Sequence, residues 1–365
     1  MTQTRTAGPA AAPLSRSYEM FTRSPANPLL TADQWPYPAA AVFNPAAVVV
    51  DGETVLLCRV QDHRGISHLT VARSPDGTSR WRIDPRPLIA ADTPDRAHCV
   101  GAQDPRITRV DELGVWLIAY TVYGPEGASV ALAVTEDFRA VEHVGTAMSP
   151  EDGNAAVLPR RVGGQFILLH RQVSALTRRA DVWLSRSVDL RSWSAPEAVL
   201  IARPPGWWDS ARVGIGAPPL ETEHGWLCVY HGVHRLDDGP LYRVGLALLD
   251  LDNPARVLRR GEGWVFGPAA SYERTGNRAN VVFPTGLVHD AASERAAHVL
   301  LRGRHGGRPG HRCAYRRSGL PARLPDSRAT PAPVAGTGPD RGGVSWTAIA
   351  AGRSSRLSTA APSHW

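Results

Sequence analysis

The sequence predicts an all-β protein, on three observations. Short runs rich in Val, Ile, Leu and aromatic residues recur in pairs, each pair split by a Gly-rich or polar turn. The first run of each pair opens at Val55, Trp116, Phe166, Trp226 and His298, giving spacings of 61, 50, 60 and 72 residues. Helical periodicity is almost absent. Strand–turn–strand units repeated at such an interval mark sheets set radially, and five of them predict a five-bladed β-propeller. The fifth unit opens and then fails, so the last blade is expected to be incomplete.

Residues 1–30 are polar and rich in Pro and Ala, and are expected to form an N-terminal arm lying on the surface. The propeller domain is expected over 31–301. Its first unit pairs the run 55–60 with 69–72, then turns at Asp76-Gly77 and reaches Trp81. The second pairs 116–121 with 130–134 and turns at Asp137-Phe138. The third pairs 166–171 with 182–185, then Asp189-Leu190 and Trp193. The fourth pairs 226–232 with 244–249 and ends at Asp250. Asp189 and Asp250 are read as turn caps, Trp81 and Trp193 as packing behind the recurring corner, and His63 as solvated. Trp207-Trp208 lies in a Pro/Gly-rich loop and reads equally as rim or as packing.

The formal net charge of +7 would suit a nucleic-acid partner, but its distribution does not. From residue 302 onward there are eleven Arg and two Asp, leaving 30 Arg against 32 acidic residues before that point. The basicity belongs to the segment 302–365, which is rich in Arg, Gly, Pro, Ala and Ser and is expected to be a disordered tail. No apolar run is long enough for a membrane helix, and no secretory leader is evident in the first residues. Cys58, Cys99, Cys228 and Cys313 stand singly, which suggests reduced thiols in the cytoplasm and no metal site. P-loop, Rossmann, zinc-protease and GxSxG patterns are missing.

Chemistry-bearing residues fall at matching places. The first run of each pair ends in a polar residue: Arg59, Tyr120 with Thr121, Arg171 and His231. One such residue reads as a strand end facing solvent; four at equivalent positions predict a shared central pocket. Between the first two units stands Gly101-Ala102-Gln103-Asp104-Pro105-Arg106. Proline fixes its own φ and favours extended backbone in the residue before it, so Asp104 is expected on a stiff corner. Alone, the hexapeptide reads as an ordinary Asx-Pro turn beside a surface arginine.

In order along the chain come Phe43-Asn44-Pro45; Arg59 with Gly65-Ile66-Ser67; 101–106; Asn154-Ala155-Ala156; His170-Arg171; Trp208-Asp209-Ser210 with 214–219; Tyr230-His231-Gly232; Leu248-Leu249-Asp250; and Asn280-Val281-Val282-Phe283-Pro284-Thr285-Gly286. This series resembles glycoside hydrolase family 130, the β-mannoside phosphorylases and their hydrolytic relatives, over roughly residues 43–301. The resemblance implies a five-bladed propeller and inverting phosphorolysis of a mannosyl disaccharide or oligosaccharide to α-mannose 1-phosphate, a mannosyl transfer to phosphate. It implies Asp104 as general acid, Arg59, Arg171, Arg212 and His231 as phosphate ligands, and Asn44, Arg106 and Asn154 as residues that position the mannosyl unit. Inorganic phosphate is the implied co-substrate, with no metal or other cofactor. That residue set makes physical sense: phosphate brings its own charge and needs a cationic cradle, which planar guanidinium forks provide, whereas water would need a carboxylate base. The alternatives are a hydrolase of the same family and a non-catalytic sugar-binding propeller or inactive remnant left by the altered C-terminus. Assembly into a homo-oligomer is left open.

Four departures from the family pattern stand out. Gln103 replaces a Glu before the catalytic Asp, Arg212 replaces a cradle lysine, and Gly153 replaces a lysine before Asn154. The family ends its fifth blade on a strand reading roughly Tyr-Tyr-Gly-Ala-Ala-Asp-Thr, where this chain reads Leu300-Leu301-Arg302-Gly303. Codons for Leu-Leu-Arg read one base later can encode Tyr-Tyr-Gly, so a shifted reading frame from about Val299 is expected.

Overall fold

A computed structural model describes residues 17–91, 101–124, 127–148, 153–173, 179–275, 279–290 and 295–301. It is all-β: the one α-helix among these residues is the four-residue turn Ser271–Arg274. Strands β1 (Ala41–Val50), β2 (Glu53–Gln61), β3 (Ser67–Ser74) and β4 (Arg82–Ile83) form an antiparallel sheet in chain order. β5 (Ala102–Val110), β6 (Val115–Gly124), β7 (Gly127–Thr135) and β8 (Glu142–Met148) repeat that order. So do β9 (Gly153–Val157), β10 (Phe166–Val173), β11 (Ala180–Ser187) and β12 (Glu197–Leu200). In the fourth unit β13 (Arg212–Ile215) pairs with β15 (Gly225–Leu236), then β16 (Gly239–Leu249) and β17 (Val257–Arg260), while β14 (Leu220–Thr222) also lies against β15. β18 (Phe283–Asp290) and β19 (Arg295–Leu301) form a two-stranded sheet.

The apolar runs found in the sequence are the second and third strands of each unit. The first strands, β1, β5, β9 and β13, escaped the periodicity. The reason lies in the packing. Ile118, Tyr120 and Val122 of β6 pack with Val55, Leu57 and Leu69 of the preceding sheet. Leu117 and Ala119, on the opposite face, pack with Val157, Phe166 and Leu168 of the following one. A strand buried on both faces reads as a continuous apolar run. The first strands interrupt theirs with Asn-Pro, Asp-Pro or Gly-Asn, for reasons given below.

Two of the junctions between units also share a backbone link, where the start of a third strand meets the next first strand in parallel. Ser67 pairs with Gly101, and Ala180 with Arg212. Gly101 has φ +120°, and a Cβ there would collide with the Ser67 backbone, so glycine is required. β18 reaches back to the first unit. The Thr285 hydroxyl donates to the Pro45 carbonyl at 2.7 Å, and a Cβ on Gly286 would lie 2.7 Å from the Ala47 nitrogen.

The corner aspartates cap turns as expected. Asp76, Asp137, Asp189 and Asp250 each accept from backbone N–H groups two or three residues ahead. Trp81 and Trp193 pack against the first and third sheets, and His63 is exposed. The N-terminal segment joins the fourth unit: the Tyr18 and Met20 N–H groups donate to Trp264 and Val265, and Arg23 forms an ion pair with the buried Glu273 at 2.7 Å. Cys58 and Cys228 are buried free thiols whose pKa burial pushes up. Cys99, Cys313 and the tail with its expected frame change lie outside the described residues, apart from the β19 backbone to Leu301. No helix of the described residues is long and apolar enough to cross a membrane.

Candidate active site

The four polar strand ends occupy one register position. Arg59 pairs with Phe43, Thr121 with Gln103, Arg171 with Gly153 and His231 with Gly214. Each is a second-strand residue opposite a first-strand residue, so the repeat carries four side chains to equivalent points. Two of the partners are glycine. A Cβ on Gly214 would run into the His231 ring, and one on Gly153 would sit 3.2 Å from Arg171 Nη2. Glycine at these two positions leaves room for the Arg and His side chains beside them.

One residue further along the first strand, three units carry a β-bulge. Asn44-Pro45, Asp104-Pro105 and Asn154-Ala155 each set two residues against one on the second strand. The first residue of each bulge is left-handed: φ is 50° at Asn44, 52° at Asp104 and 47° at Asn154. This corrects the extended conformation expected for a residue before proline. Asn and Asp tolerate this region better than other non-glycine residues, and bulges re-aim side chains. Proline fits the second position, where the ladder is already interrupted. Asn280, just ahead of β18, is also left-handed at 60°.

These placements converge on Asp104. Its Oδ1 accepts from Asn44 Nδ2 at 2.6 Å and from Arg59 Nη1 at 2.9 Å. Arg59 is held in turn by Ser67 Oγ at 3.0 Å and lies over the Phe43 ring. Behind the corner, the fully buried Arg106 donates to the carbonyls of Asp104 at 3.1 Å, Pro105 at 2.9 Å and Gly216. Arg106, read from the sequence as a sugar-positioning residue, thus spends these bonds bracing the backbone that carries the acid and tying the second unit to the fourth. Burial raises the Asp104 pKa, but the charges of Arg59 and Arg106 and the bonds from Asn44 and Arg59 outweigh it, so the group lies below the usual carboxylate range. Burial brings Arg106 down to about 10, against the pull of Asp104.

The second cluster surrounds His231. The ring is fully buried, and neither nitrogen has a hydrogen-bond partner among the described residues. Burial, then the charges of Arg171, Arg212 and Arg106, hold its pKa well below the ordinary histidine value, so the imidazole is neutral. Phe283 lies 4.4 Å from the ring centroid and Tyr242 stacks at 5.9 Å. Arg212 donates to the Tyr242 hydroxyl, and Arg106 lies 5.5 Å over Phe283. Asn154 is buried beside Thr121, whose Oγ1 accepts from its N–H at 3.3 Å. Arg106 is the link between the clusters, coupled to Asp104 on one side and to Arg171 and His231 on the other.

Seven of the eight residues singled out from the sequence are linked into one network by these bonds and charges, and Asn154 is tied through its N–H to Thr121. Phe43, under Arg59, and Tyr242, beside His231, are in it too and were given no role from the sequence; Thr121, one of the four matching strand ends, lies beside Asn154. Tyr242 sits in an otherwise ordinary strand and gives no local signal. Trp208 is fully buried, stacks on Tyr230 at 5.6 Å and donates to the Glu262 carbonyl at 2.9 Å, so it is packing and not rim.

Comparisons with known proteins point the same way. A family model described as beta-1,4-mannooligosaccharide phosphorylase, for glycoside hydrolase family 130, matches residues 22–298. The chain is 34% identical over 258 residues to the 1,2-beta-oligomannan phosphorylase of a Thermoanaerobacter species, covering 68% of this chain and 82% of that protein. It is 30% identical over 287 residues to the beta-1,4-mannooligosaccharide phosphorylase of Ruminococcus albus, covering 76% and 84%. The solved beta-1,2-mannobiose phosphorylase of Listeria innocua, in complex with beta-1,2-mannobiose, superposes with a TM-score of 0.67 at 26% identity, over 77% of this chain and 95% of that one. With a match that takes in every sheet unit and both clusters around Asp104 and His231, the chain belongs to glycoside hydrolase family 130.

Proposed function

We propose that this protein is an inverting β-mannoside phosphorylase, which converts a β-mannosyl disaccharide or oligosaccharide and phosphate to α-mannose 1-phosphate and the shortened sugar. The observation that carries this reading is the pair of clusters joined through Arg106: one carboxylate at a bulge, and Arg171 and Arg212 around a neutral, unpartnered histidine. Phosphorylases of β-1,2- and β-1,4-linked mannosides among the relatives support it.

On this reading a phosphate oxygen forms a bond to the anomeric carbon as the glycosidic C–O bond breaks, and the leaving oxygen takes a proton that traces to Asp104. Arg59, Arg171, Arg212 and His231 hold the phosphate, and Asn44 and Asn154 orient the mannosyl unit, with Arg106 fixing the acid from behind. Phosphate is the co-substrate, and no metal or organic cofactor takes part. In the free protein Asp104 is ionised at neutral pH. Phosphate entering beside Arg59 offsets part of the positive field that keeps the proton off, so the Asp104 pKa rises and its protonated, neutral form is favoured when the co-substrate is in place.

The architecture on this reading is a five-bladed propeller. It is supported by four repeated strand units, the third and fourth joined into one nine-stranded sheet, by a two-stranded fifth, and by a β18 that packs on the first sheet. The frame change near Val299 is supported by a family match that ends at residue 298, and resequencing the gene tests it.

The test of function is an assay of mannosyl disaccharides with and without inorganic phosphate. Release of mannose 1-phosphate only when phosphate is present is the expected result. Free mannose released without phosphate would make the chain a hydrolase, and no turnover with any β-mannoside would overturn the catalytic reading.

A further inference from the structure

We infer that His231 makes the anion site selective for monoprotonated phosphate over sulfate, by accepting the hydrogen bond of the phosphate's own hydroxyl at one ring nitrogen while donating to a second oxygen from the other. This deepens the phosphorylase reading and rests on it.

The argument begins with what the other groups can offer. Arg171 on β10, Arg212 on β13 and Arg106 on β5 face the ring, and a guanidinium has donors and no acceptor. Nearby hydroxyls already accept hydrogen bonds: Tyr242 from Arg212, Ser67 from Arg59, and Thr121 from the Asn154 N–H. Asp104 Oδ1 takes two bonds from Asn44 and Arg59. A neutral imidazole differs from the guanidinium groups in carrying both a proton and a lone pair, and from these oxygens in having neither one engaged. Protonation would add a positive charge to a spot already faced by three, inside a fully buried ring packed between Tyr242 and Phe283. Both nitrogens stand without partners, which leaves one donor and one acceptor for a ligand.

Above neutrality phosphate is chiefly a dianion with one hydroxyl. Sulfate has the same charge and nearly the same size and lacks that hydrogen. The arginines would hold both about equally. Sulfate would leave the acceptor nitrogen of His231 buried and unpaired, facing another lone pair, and an unsatisfied buried polar group weakens binding.

The experiment is calorimetric titration of the full chain with phosphate, arsenate and sulfate at mildly alkaline pH and matched ionic strength, repeated on His231→Gln and His231→Phe. Wild type should bind phosphate and arsenate roughly tenfold or more above sulfate, the size an unpaired buried acceptor implies. His231→Gln, which keeps a donor and an acceptor, should retain most of that ratio. His231→Phe should bring it to about one, with anion binding through the arginines surviving. Equal affinity of wild type for phosphate and sulfate would overturn the inference while leaving the phosphorylase reading intact. So would a ratio that persists in His231→Phe, which would move the acceptor to Asp104. Failure of phosphate to bind at all would overturn both. Should His231→Phe fail to fold, His231→Leu makes the same test, and a wild-type ratio near one overturns the inference by itself.

Discussion

Five aspartates at strand ends do two different jobs. Asp76, Asp137, Asp189 and Asp250 sit where a unit turns after its third strand, and their Oδ1 atoms accept from the N–H groups of their own turn. Asp104 sits on a first strand, left-handed at a bulge, and its partners are side chains from other segments: Asn44 of β1 and Arg59 of β2. Asp76, Asp189, Asp250 and Asp104 all have pKa values below the ordinary range, for different reasons. The corner groups are held there by hydrogen bonds from residues close by in the chain. Asp104 is held there by two arginines against the pull of burial. A local turn fixes a local shape and is insensitive to what binds elsewhere. A carboxylate whose proton affinity depends on neighbouring cations responds when an anion enters among them, and that is the property an acid working beside phosphate needs.

The sharpest break of this comparison is Asp104→Asn. The amide keeps the bulge and an acceptor for Arg59 but has no proton to give, so mannose 1-phosphate release should fall by about 10²–10⁴-fold. Thermal melting should show a folded protein. The same change at Asp189 should leave turnover within about twofold, since its bonds stay inside one turn. Turnover by Asp104→Asn close to wild type would end the assignment of the acid.

Next in size is Gly214→Ala. The added methyl meets the buried His231 ring, whose other sides are occupied by Phe283 and Tyr242. Overpacking of this kind costs about 1–3 kcal/mol, and the ring must move to relieve it. The expected signature is a KM for phosphate that rises more than the KM for the mannoside, measured by varying each at saturation of the other. A variant with both constants unchanged would mean that His231 takes no part in holding the anion.

How much of this was legible can be followed residue by residue. The paired runs were readable because β2, β6, β10 and β15 are buried on both faces and therefore continuously apolar. The first strands were not, because their periodicity is broken by the features that build the site: Pro45 and Pro105, and Gly153 and Gly214. The matching polar ends at 59, 121, 171 and 231 were visible by counting, and each stands at the same register position of its unit. The left-handed conformation of Asn44, Asp104 and Asn154 was not visible, since a residue before proline is expected to be extended and the bulge is set by pairing with another strand. Arg106 was visible as a charge, but its burial was not, and one of its three carbonyl partners, Gly216, is far off in the chain. Trp208 was ambiguous for a similar reason: the room it occupies is made by Gly232 and Gly245.

A smaller effect separates the corners from the site by stability alone. Asp189→Ala removes acceptors for Arg191 N–H, Ser192 N–H and the Ser187 hydroxyl. It should lower the melting temperature with kcat and both KM values unchanged. A loss of activity beyond the loss of folded protein would show that this corner communicates with Asp104.

The smallest expected effect is a change in the acid limb of stability, and its sign follows from the direction of the shift. The Asp189 pKa falls from 3.8 to about 2 through bonds from Ser192, Arg191 and Ser187. A carboxylate with a depressed folded-state pKa contributes stability that is fully present above its unfolded value and is lost as pH falls through the folded one. The window for Asp189 therefore runs from 3.8 down to about 2. Asp189→Asn keeps an acceptor for the turn but cannot titrate, so its unfolding free energy should fall less steeply across that window than wild type. Denaturant unfolding at a series of acidic pH values measures the slopes. Parallel slopes would mean that Asp189 titrates alike in the folded and unfolded chains and that its turn bonds do not discriminate between its protonation states. The local half of the comparison would then fail, while the assignment of Asp104, which depends on cations and not on turn geometry, would be untouched.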